Sequence, residues 1–511
     1  MLLIHPPVAK PCEPPAGIAR IAAALQQRGI ECTVLDAGIE GLLHLLDHPR
    51  PASDRWSLRA IRNTPKNLSF LKQHRACHSI DRYKRAVSDL TRAVEVAAGG
   101  NAHLSLANYQ SPDLSPVRSR DVIRAAENPD GNPFFPYLSK RLRALLHHRQ
   151  PRMVGFSLNF LSQVLCTFAM IGFMRRECPG LPIILGGGLV TSWMSRPGWK
   201  NPFDGLVDTL VSGPGEGPLL ELLGFSGADV DCTLPGYRPL PLEDYLAPGR
   251  IVPYSASTGC YWNNCSFCPE RAEGNPYRPI PPGRVVRDLG ELSRSLSPSL
   301  FHLLDNALSP SLMEALCGHP PGAPWYGFAR VTRHLADEDF CRSLRRSGCV
   351  MLKLGLESGD QDVIDREQKG IDLETASLAL RSLKRAGIGT YVYLLFGTPA
   401  ETAAKARKTL DFTVRHSDVI DFLNLAIFNM PIHSPDTRFV DTNPFSEGDL
   451  SLYTGFSHPS GWDRGLVRQF LDKEFKRHPA VAAILRNDPP TFTSNHAPFF
   501  CMPRNTGRRV Q

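Results

Sequence analysis

Cys260-Tyr-Trp-Asn-Asn-Cys265-Ser-Phe-Cys268 places three thiols in one short loop. The apolar run over residues 251–258 before it reads as a strand, and Gly259 supplies the turn by which the backbone leaves that strand and wraps around something bulky. Three thiols this close cannot all pair as disulfides, so a metal centre is the economical reading. A structural zinc site takes four ligands, and no fourth Cys or His lies within a few residues of the loop. A cubane iron–sulfur cluster held by three cysteines leaves one iron open to a small molecule. A zinc knuckle and plain buried thiols stand beside it as alternatives.

Working outward, the whole chain bounds the context. Its 511 residues exceed one ordinary core and suggest about three domains. Charged residues at 21% and hydrophobic residues at 42% are ordinary for a soluble globular protein. The other cysteines are scattered and the start carries no secretory pattern, which points to a reducing, cytoplasmic setting. Residues 153–174 carry no charge and are long enough for a bilayer. Ser157, Asn159, Ser162, Gln163 and Thr167 interrupt them, so they read as a buried strand and helix rather than a membrane span. Much of the net charge of +8 falls between Arg50 and Arg85, where a solvated surface is a better reading than a site for an acidic substrate or partner, and nucleic acid is not expected.

The expected fold is α/β: a doubly wound parallel sheet, a partial barrel of about six strand–helix units, and a small C-terminal extension. In the first part, residues 2–7 read as a strand, 15–28 as an Ala-rich helix closed by Gly29, and 31–36 as a second strand. A basic, polar insertion over about 49–151 interrupts the alternation, with loop signals at Gly99-Gly100-Asn101, and covers one edge of the sheet. Strand 153–158, helix 161–176, strand 182–188 ending in Gly186-Gly187-Gly188, and a strand and Gly-rich turn over 209–217 follow. Glycines at the carboxyl ends of parallel strands let a ligand approach bare backbone. The expected domains are 1–225, a Pro/Gly-rich linker 226–250, a barrel 251–430, and an extension 431–511.

In the barrel, polar residues recur at strand ends: Asp305-Asn306, Arg330, Glu357-Ser358-Gly359 and Gly397-Thr398-Pro399. That rim is where a parallel barrel places chemistry. Each residue also has a plain structural reading: Asp305 and Asn306 as a helix cap, Glu357 satisfying a neighbouring backbone group, Arg330 pairing with Glu357. In the extension, 466–476 reads as a helix, and the aromatic segment 489–500 would plug the open side of the barrel. His433 and His496 are the acid–base candidates there, though a lone histidine is more often structural.

The cysteine loop, with Phe267 before its last cysteine, resembles the cluster motif of radical S-adenosylmethionine (SAM) enzymes. The order of rim motifs, Asp, Arg, Gly-Leu-Glu-Ser-Gly and Gly-x-Pro-x-Glu-Thr, resembles that family too. One departure is plain: the family has three residues between the first two cysteines and this chain has four. Residues 1–225, through Pro15, Gly17, Asp36, Ser157, Leu158, Gly186 to Gly188, Gly213, Gly215, Glu216 and Gly217, are similar to the cobalamin-binding domain of one branch of the family. The D-x-H-x-x-G motif is absent, which implies cobalamin without a histidine below the metal.

The resemblance implies a 4Fe-4S cluster on Cys260, Cys265 and Cys268, with SAM on its open iron. Phe267 would meet adenine, Glu357 and Ser358 the ribose, and Arg330 the methionyl carboxylate, with Asp305, Gly397 and Pro399 also at the cofactor. It implies cobalamin-dependent methylation of an unactivated carbon, with rearrangement, cyclisation or ring contraction as the alternative within the same chemistry. The substrate would be a small molecule or peptide, and the electron donor a flavodoxin or ferredoxin. An iron–sulfur sensor without catalysis is the rival from a different class.

Overall fold

Five strands, β1 (Leu2–His5), β2 (Thr33–Asp36), β3 (Val154–Ser157), β4 (Ile183–Gly186) and β5 (Thr209–Leu210), pair in parallel in the order 2-1-3-4-5. Every residue of β1 and β3 is buried, as strands covered on both faces require. Helix α1 (Ala16–Gln27) joins β1 to β2 and presses Ile18, Ala22 and Leu25 inward, and α2 (Ala37–Asp47) starts on the Asp36 side chain. The order reverses between β1 and β3. At such a switch point the connections diverge and leave a crevice beyond the carboxyl ends of the two strands.

The computed structural model describes residues 1–99, 102–196, 198–225, 234–443 and 448–502. Residues 100–101 of the predicted glycine loop, 226–233 of the predicted linker, and 444–447 and 503–511 of the predicted extension lie outside them.

Several predicted strands come out shorter: 2–7 ends at His5, 153–158 narrows to Val154–Ser157, and 251–258 stops at Tyr254. The second begins at Thr33, and the fourth stops at Gly186 because Gly187 turns out of the ladder with φ +110°. A Cβ there would lie 2.3 Å from the Leu158 carbonyl oxygen, so only glycine allows the turn. The uncharged segment 153–174 is β3 followed by α3 (Leu161–Glu177), buried continuously from Gln163 to Met174. Helices Ser119–Glu127 and Phe135–Arg149 of the insertion pack on its outer side, so the insertion covers a helical layer rather than a sheet edge. Burial on every side is why α3 has no polar stripe. No helix among the described residues is long and apolar enough to cross a membrane.

Packing divides the chain into two units, residues 1–76, 81–250 and 445–452 forming the first, and 77–80, 251–444 and 453–511 the second. The second holds six parallel strands paired in chain order: β6 (Ile251–Tyr254), β7 (Leu300–Leu308), β8 (Trp325–Ala329), β9 (Cys349–Glu357), β10 (Gly389–Phe396) and β11 (Phe422–Ile427). Helices α4 (Pro282–Leu296), α5 (Leu373–Arg385) and α6 (Ala403–Arg415) return the chain between strands. This is the partial barrel. Residues 464–476 form a helical turn ending in a π-helical stretch over Leu471–Phe475 instead of one α-helix, with Phe470, Leu471 and Phe475 buried. The aromatic segment near the end is helix α7 (Thr493–Cys501), which packs on β9 and β10.

Strand β7 runs to Leu308, with a register irregularity between Leu303 and Leu308. Asp305 and Asn306 therefore belong to a bulged strand extension. They do not cap the following helix, Pro310–Gly318, which Ser309 caps through the Leu312 amide.

Candidate functional site

The cysteine loop leaves β6 through a two-residue antiparallel ribbon in which Thr258 faces Arg278 and Ser257 faces Pro279. This ribbon pinches the base of the loop. Gly259, at φ +70°, sits where a Cβ would come 2.4 Å from the Pro276 carbonyl oxygen, so the closure needs glycine there. Asp305 accepts from the Ala256 amide at 3.1 Å and from the Ser257 hydroxyl, and Asn306 donates to the Gly259 carbonyl at 3.2 Å. Burial raises the Asp305 pKa, while those donors oppose the rise. Both β7 residues thus brace the loop's entry.

All three loop cysteines are free thiols. Burial raises the Cys265 pKa, and the Lys369 and Arg330 cations pull it back; burial pushes Cys268 up to about 11, against the Arg271 and Glu270 amides that donate towards it. The Cys265 thiol senses Cys260, and Cys268 senses Cys265, so the three share one electrostatic environment. No three His, Cys, Asp or Glu side chains among the described residues converge on a single-ion point. Thiols of a cubane each take a different iron, so such convergence is not what a cluster needs. Amide donors and neighbouring cations are the surroundings that stabilise thiolate ligands, and in this respect the donor set fits a cluster.

Glu357 ends β9 with φ +68°, a strained conformation for a carboxylate residue. Its partner is Lys369, with Nζ 2.8 Å from Oε1 and both side chains largely buried. Lys369 also lies over the Phe267 ring, 5.4 Å from its centroid. Burial alone would lower the Lys369 pKa, but Glu357 and then Cys265 hold it above the ordinary lysine value. The pairing of Arg330 with Glu357 considered from sequence does not occur. Arg330 is buried, donates to the Lys369 carbonyl at 2.5 Å and stacks 4.1 Å from the Trp262 ring centroid. The Ser358 hydroxyl is fully buried, receives the Asp360 amide at 3.1 Å and lies 3.2 Å from Thr409 Oγ1 of α6. Of the two residues expected at a ribose, Ser358 is engaged within the fold and Glu357 pairs with Lys369.

The Gly397 amide, in a left-handed turn, donates to Glu401 Oε2 at 2.6 Å, and Trp462 donates to the same oxygen at 2.9 Å; Pro399 is half-buried in that loop. Burial pushes Glu401 up to about 7 and Glu367 up to about 8. His433 precedes Ser434, whose hydroxyl donates to the Ser266 carbonyl at 3.2 Å, so its segment adjoins the cluster loop. His496 is fully buried in α7, stacked on Phe492 at 4.4 Å. The two histidines lie on separate elements. Lys369, Trp262 and Glu367 escaped the sequence reading; the polar run Glu367-Gln368-Lys369-Gly370 hinted at two of them, and Trp262 stood in the cysteine loop without a role.

In the first unit the expected residues line the carboxyl ends of the strands. The Leu158 amide donates to Gly186 at 2.7 Å, Gly188 donates to the Asn159 side chain at 3.0 Å, and Asn159 donates to the Ser157 hydroxyl at 3.1 Å. Pro15 precedes α1, and a Cβ on Gly17 or Gly213 would meet nothing within 4 Å, so free space fronts both. Gly215 lies against Ile21, and Gly217 is on the short helix Glu216–Leu222. Asp36 and Glu216 have internal work: Asp36 caps α2 and accepts from Tyr245 at 2.7 Å, and Glu216 pairs with Arg20 at 2.8 Å. Bare backbone with room before it fits a large planar cofactor, while these two carboxylates are committed to the fold.

Residues 254–413 match the family model Radical SAM superfamily. The chain is 25% identical over 292 residues to an anaerobic magnesium-protoporphyrin IX monomethyl ester cyclase of Rubrivivax gelatinosus, 53% of this chain and 50% of that protein. It is 24% identical over 290 residues to an uncharacterized methyltransferase of Pyrococcus horikoshii, 52% of this chain and 58% of that one. The chain thus spans about half the length of the curated relatives it matches. The fold is similar to that of the radical SAM methyltransferase TsrM from Kitasatospora setae, solved with tryptophan and a SAM analog, with TM-score 0.53, 16% identity, and coverage of 85% of this chain and 74% of TsrM. Residues 254–413 are thus similar to the radical SAM superfamily, and the chain has a fold similar to that of TsrM.

Proposed function

We propose that this protein is a cobalamin-dependent radical SAM enzyme that methylates an unactivated carbon. The observation that carries the reading is the loop of three free cysteines, backed by amide donors, beside Phe267, Glu357 and Lys369 at the carboxyl rim of six parallel strands. When bound, a 4Fe-4S cluster supplies the electron that splits the SAM sulfonium into methionine and a 5′-deoxyadenosyl radical, and cobalamin supplies a methyl group.

Cys260, Cys265 and Cys268 would hold the cluster. Phe267 presents an aromatic face to adenine, Glu357 accepts from ribose hydroxyls, and Lys369 offers a cation to the methionyl carboxylate, since Arg330 is already engaged by a carbonyl and a ring. Helix α7 lies on β9 and β10, and the tyrosines Tyr391 and Tyr393 reach Thr493 and Ser494 on it. This cover keeps water from the strands behind it. In the first unit, Ser157, Leu158, Gly186 to Gly188 and Gly213 would face cobalamin at the switch point, as the fold shared with TsrM and OxsB supports; OxsB was solved with aqua-cobalamin, TM-score 0.51.

A cyclisation or rearrangement without methyl transfer is the second reading, favoured by the 25% identity to the cyclase. Anaerobic purification with iron, sulfide and cobalt analysis tests both cofactors. Incubation with methyl-labelled SAM and a reductant, a reduced flavodoxin or ferredoxin being the expected physiological donor, then separates the reactions. Deoxyadenosine with label in product supports methylation, deoxyadenosine without it supports cyclisation, and neither in cluster-loaded protein overturns both.

A further inference from the structure

Four residues separate Cys260 from Cys265, and two of them are held in a specific way. Asn263 takes the left-handed conformation at φ +44°, which Asn tolerates better than most residues, and its neighbour Trp262 swings onto a second loop, Glu367–Gly370. Trp262 Nε1 donates to the Gln368 carbonyl at 2.9 Å. The Arg330 guanidinium covers one side of the indole at 4.1 Å from its centroid. Gly370 abuts the ring so closely that a Cβ there would fall 2.2 Å from an indole carbon. The same second loop also receives the Ser266 amide on Glu367 O at 3.0 Å, Arg271 on the Gln368 side chain at 2.7 Å, and Arg330 on Lys369 O at 2.5 Å. Two of its residues, Gln368 and Gly370, have φ of +53° and +64°, so the loop is shaped rather than extended.

We propose that Trp262 is a positioning residue for the cluster: lodged between Arg330 and the Glu367–Gly370 loop, it takes up the additional residue and fixes the reach of Cys260 while holding Lys369 beside Cys265. This rests on the cluster reading given above. A flexible loop one residue longer would close at almost the same entropic cost, so length alone would not set the position of Cys260; the indole contacts do. Arg–aromatic stacking with an added N–H donor is a rigid attachment for a side chain with only two rotatable bonds.

The test uses the full chain, reconstituted anaerobically, as wild type, Trp262→Ala and Trp262→Phe. Iron and sulfide per chain are measured, with electron paramagnetic resonance of the reduced protein before and after SAM, and the thermal midpoint of the apo-protein as the fold control. In Trp262→Ala, cluster occupancy falls by about threefold or more, as for other residues that orient metal ligands, and the SAM-induced spectral change is lost or altered. The apo midpoint stays within about 2 °C. Trp262→Phe keeps the stacking without the N–H donor and recovers most of the occupancy. Equal occupancy and an unchanged spectrum in Trp262→Ala overturn the proposal. So does a loss matched by collapse of the apo midpoint with Trp262→Phe no better. Wild-type protein that takes up no cluster overturns the functional reading instead, and the first measurement reads that separately.

Discussion

The two sheets use parallel strands for opposite ends. In the first unit the order 2-1-3-4-5 reverses once, and the residues at its carboxyl edge are glycines, a serine and backbone amides, with open space before Gly17 and Gly213. In the second the strands follow chain order, all six carboxyl ends share one rim, and that rim is charged and buried, with Asp305, Arg330, Glu357 and Lys369 shielded from solvent. The difference separates an uncharged edge of backbone from a charged, buried rim. A cradle needs room and amides; a site that directs charge needs ions whose positions cost stability.

The sharpest way to break that comparison is Cys265→Ala. It is expected to lower bound iron and sulfide by about tenfold, with cobalt per chain changed less than about twofold, because metal binding here depends on a complete ligand set. Loss of both metals together would show that the two regions do not act separately. Next is Lys369→Met, which leaves the Glu357 carboxylate buried without its partner and should cost the apo-protein about 3 kcal/mol in denaturant titration. Adding Glu357→Gln should recover much of that, and no recovery would mean the cost lies elsewhere.

Glu367 sharpens the electrostatic side. Its pKa rises from 4.5 to about 8 by burial, helped by Glu357 and Glu401, so its protonated form is the one the fold favours. The stabilisation is full below its unfolded value and is lost as pH rises through about 8, which predicts a fall of about 2–4 kcal/mol between mildly acidic and alkaline pH. Glu367→Gln should flatten that slope in thermal melts, and an unchanged slope would assign the pH dependence to other groups. The smallest effect belongs to the first unit. Gly17→Ala meets no neighbour and sits in α1, so it should stabilise the apo-protein by about 0.5–1 kcal/mol while reducing cobalt uptake. Unchanged uptake would remove Gly17 from the cradle.

Much of this architecture was legible from sequence. Strands β8 and β10 end at Ala329 and Phe396, just before Arg330 and Gly397, where the polar residues mark strand ends. Where the reading erred, a local preference met a contact from afar. Glycines after β4 were counted as strand until Gly187 proved to turn against the Leu158 carbonyl. Asp305 was weighed as a cap and lies on a bulged strand bonded to Ala256, 49 positions away. Arg330 was weighed against Glu357, while Lys369, 12 positions beyond Glu357, holds that carboxylate.

The sequence by itself determined the alternation of strands and helices, the three-thiol loop and the polar strand ends, since each is written in spacing over a few residues. Only the tertiary structure decided which charges pair, that Ser358 is spent on packing against α6, and that Trp262 bridges two loops. Those outcomes depend on which distant side chain arrives at a buried group to offset its desolvation, and no local pattern encodes that arrival.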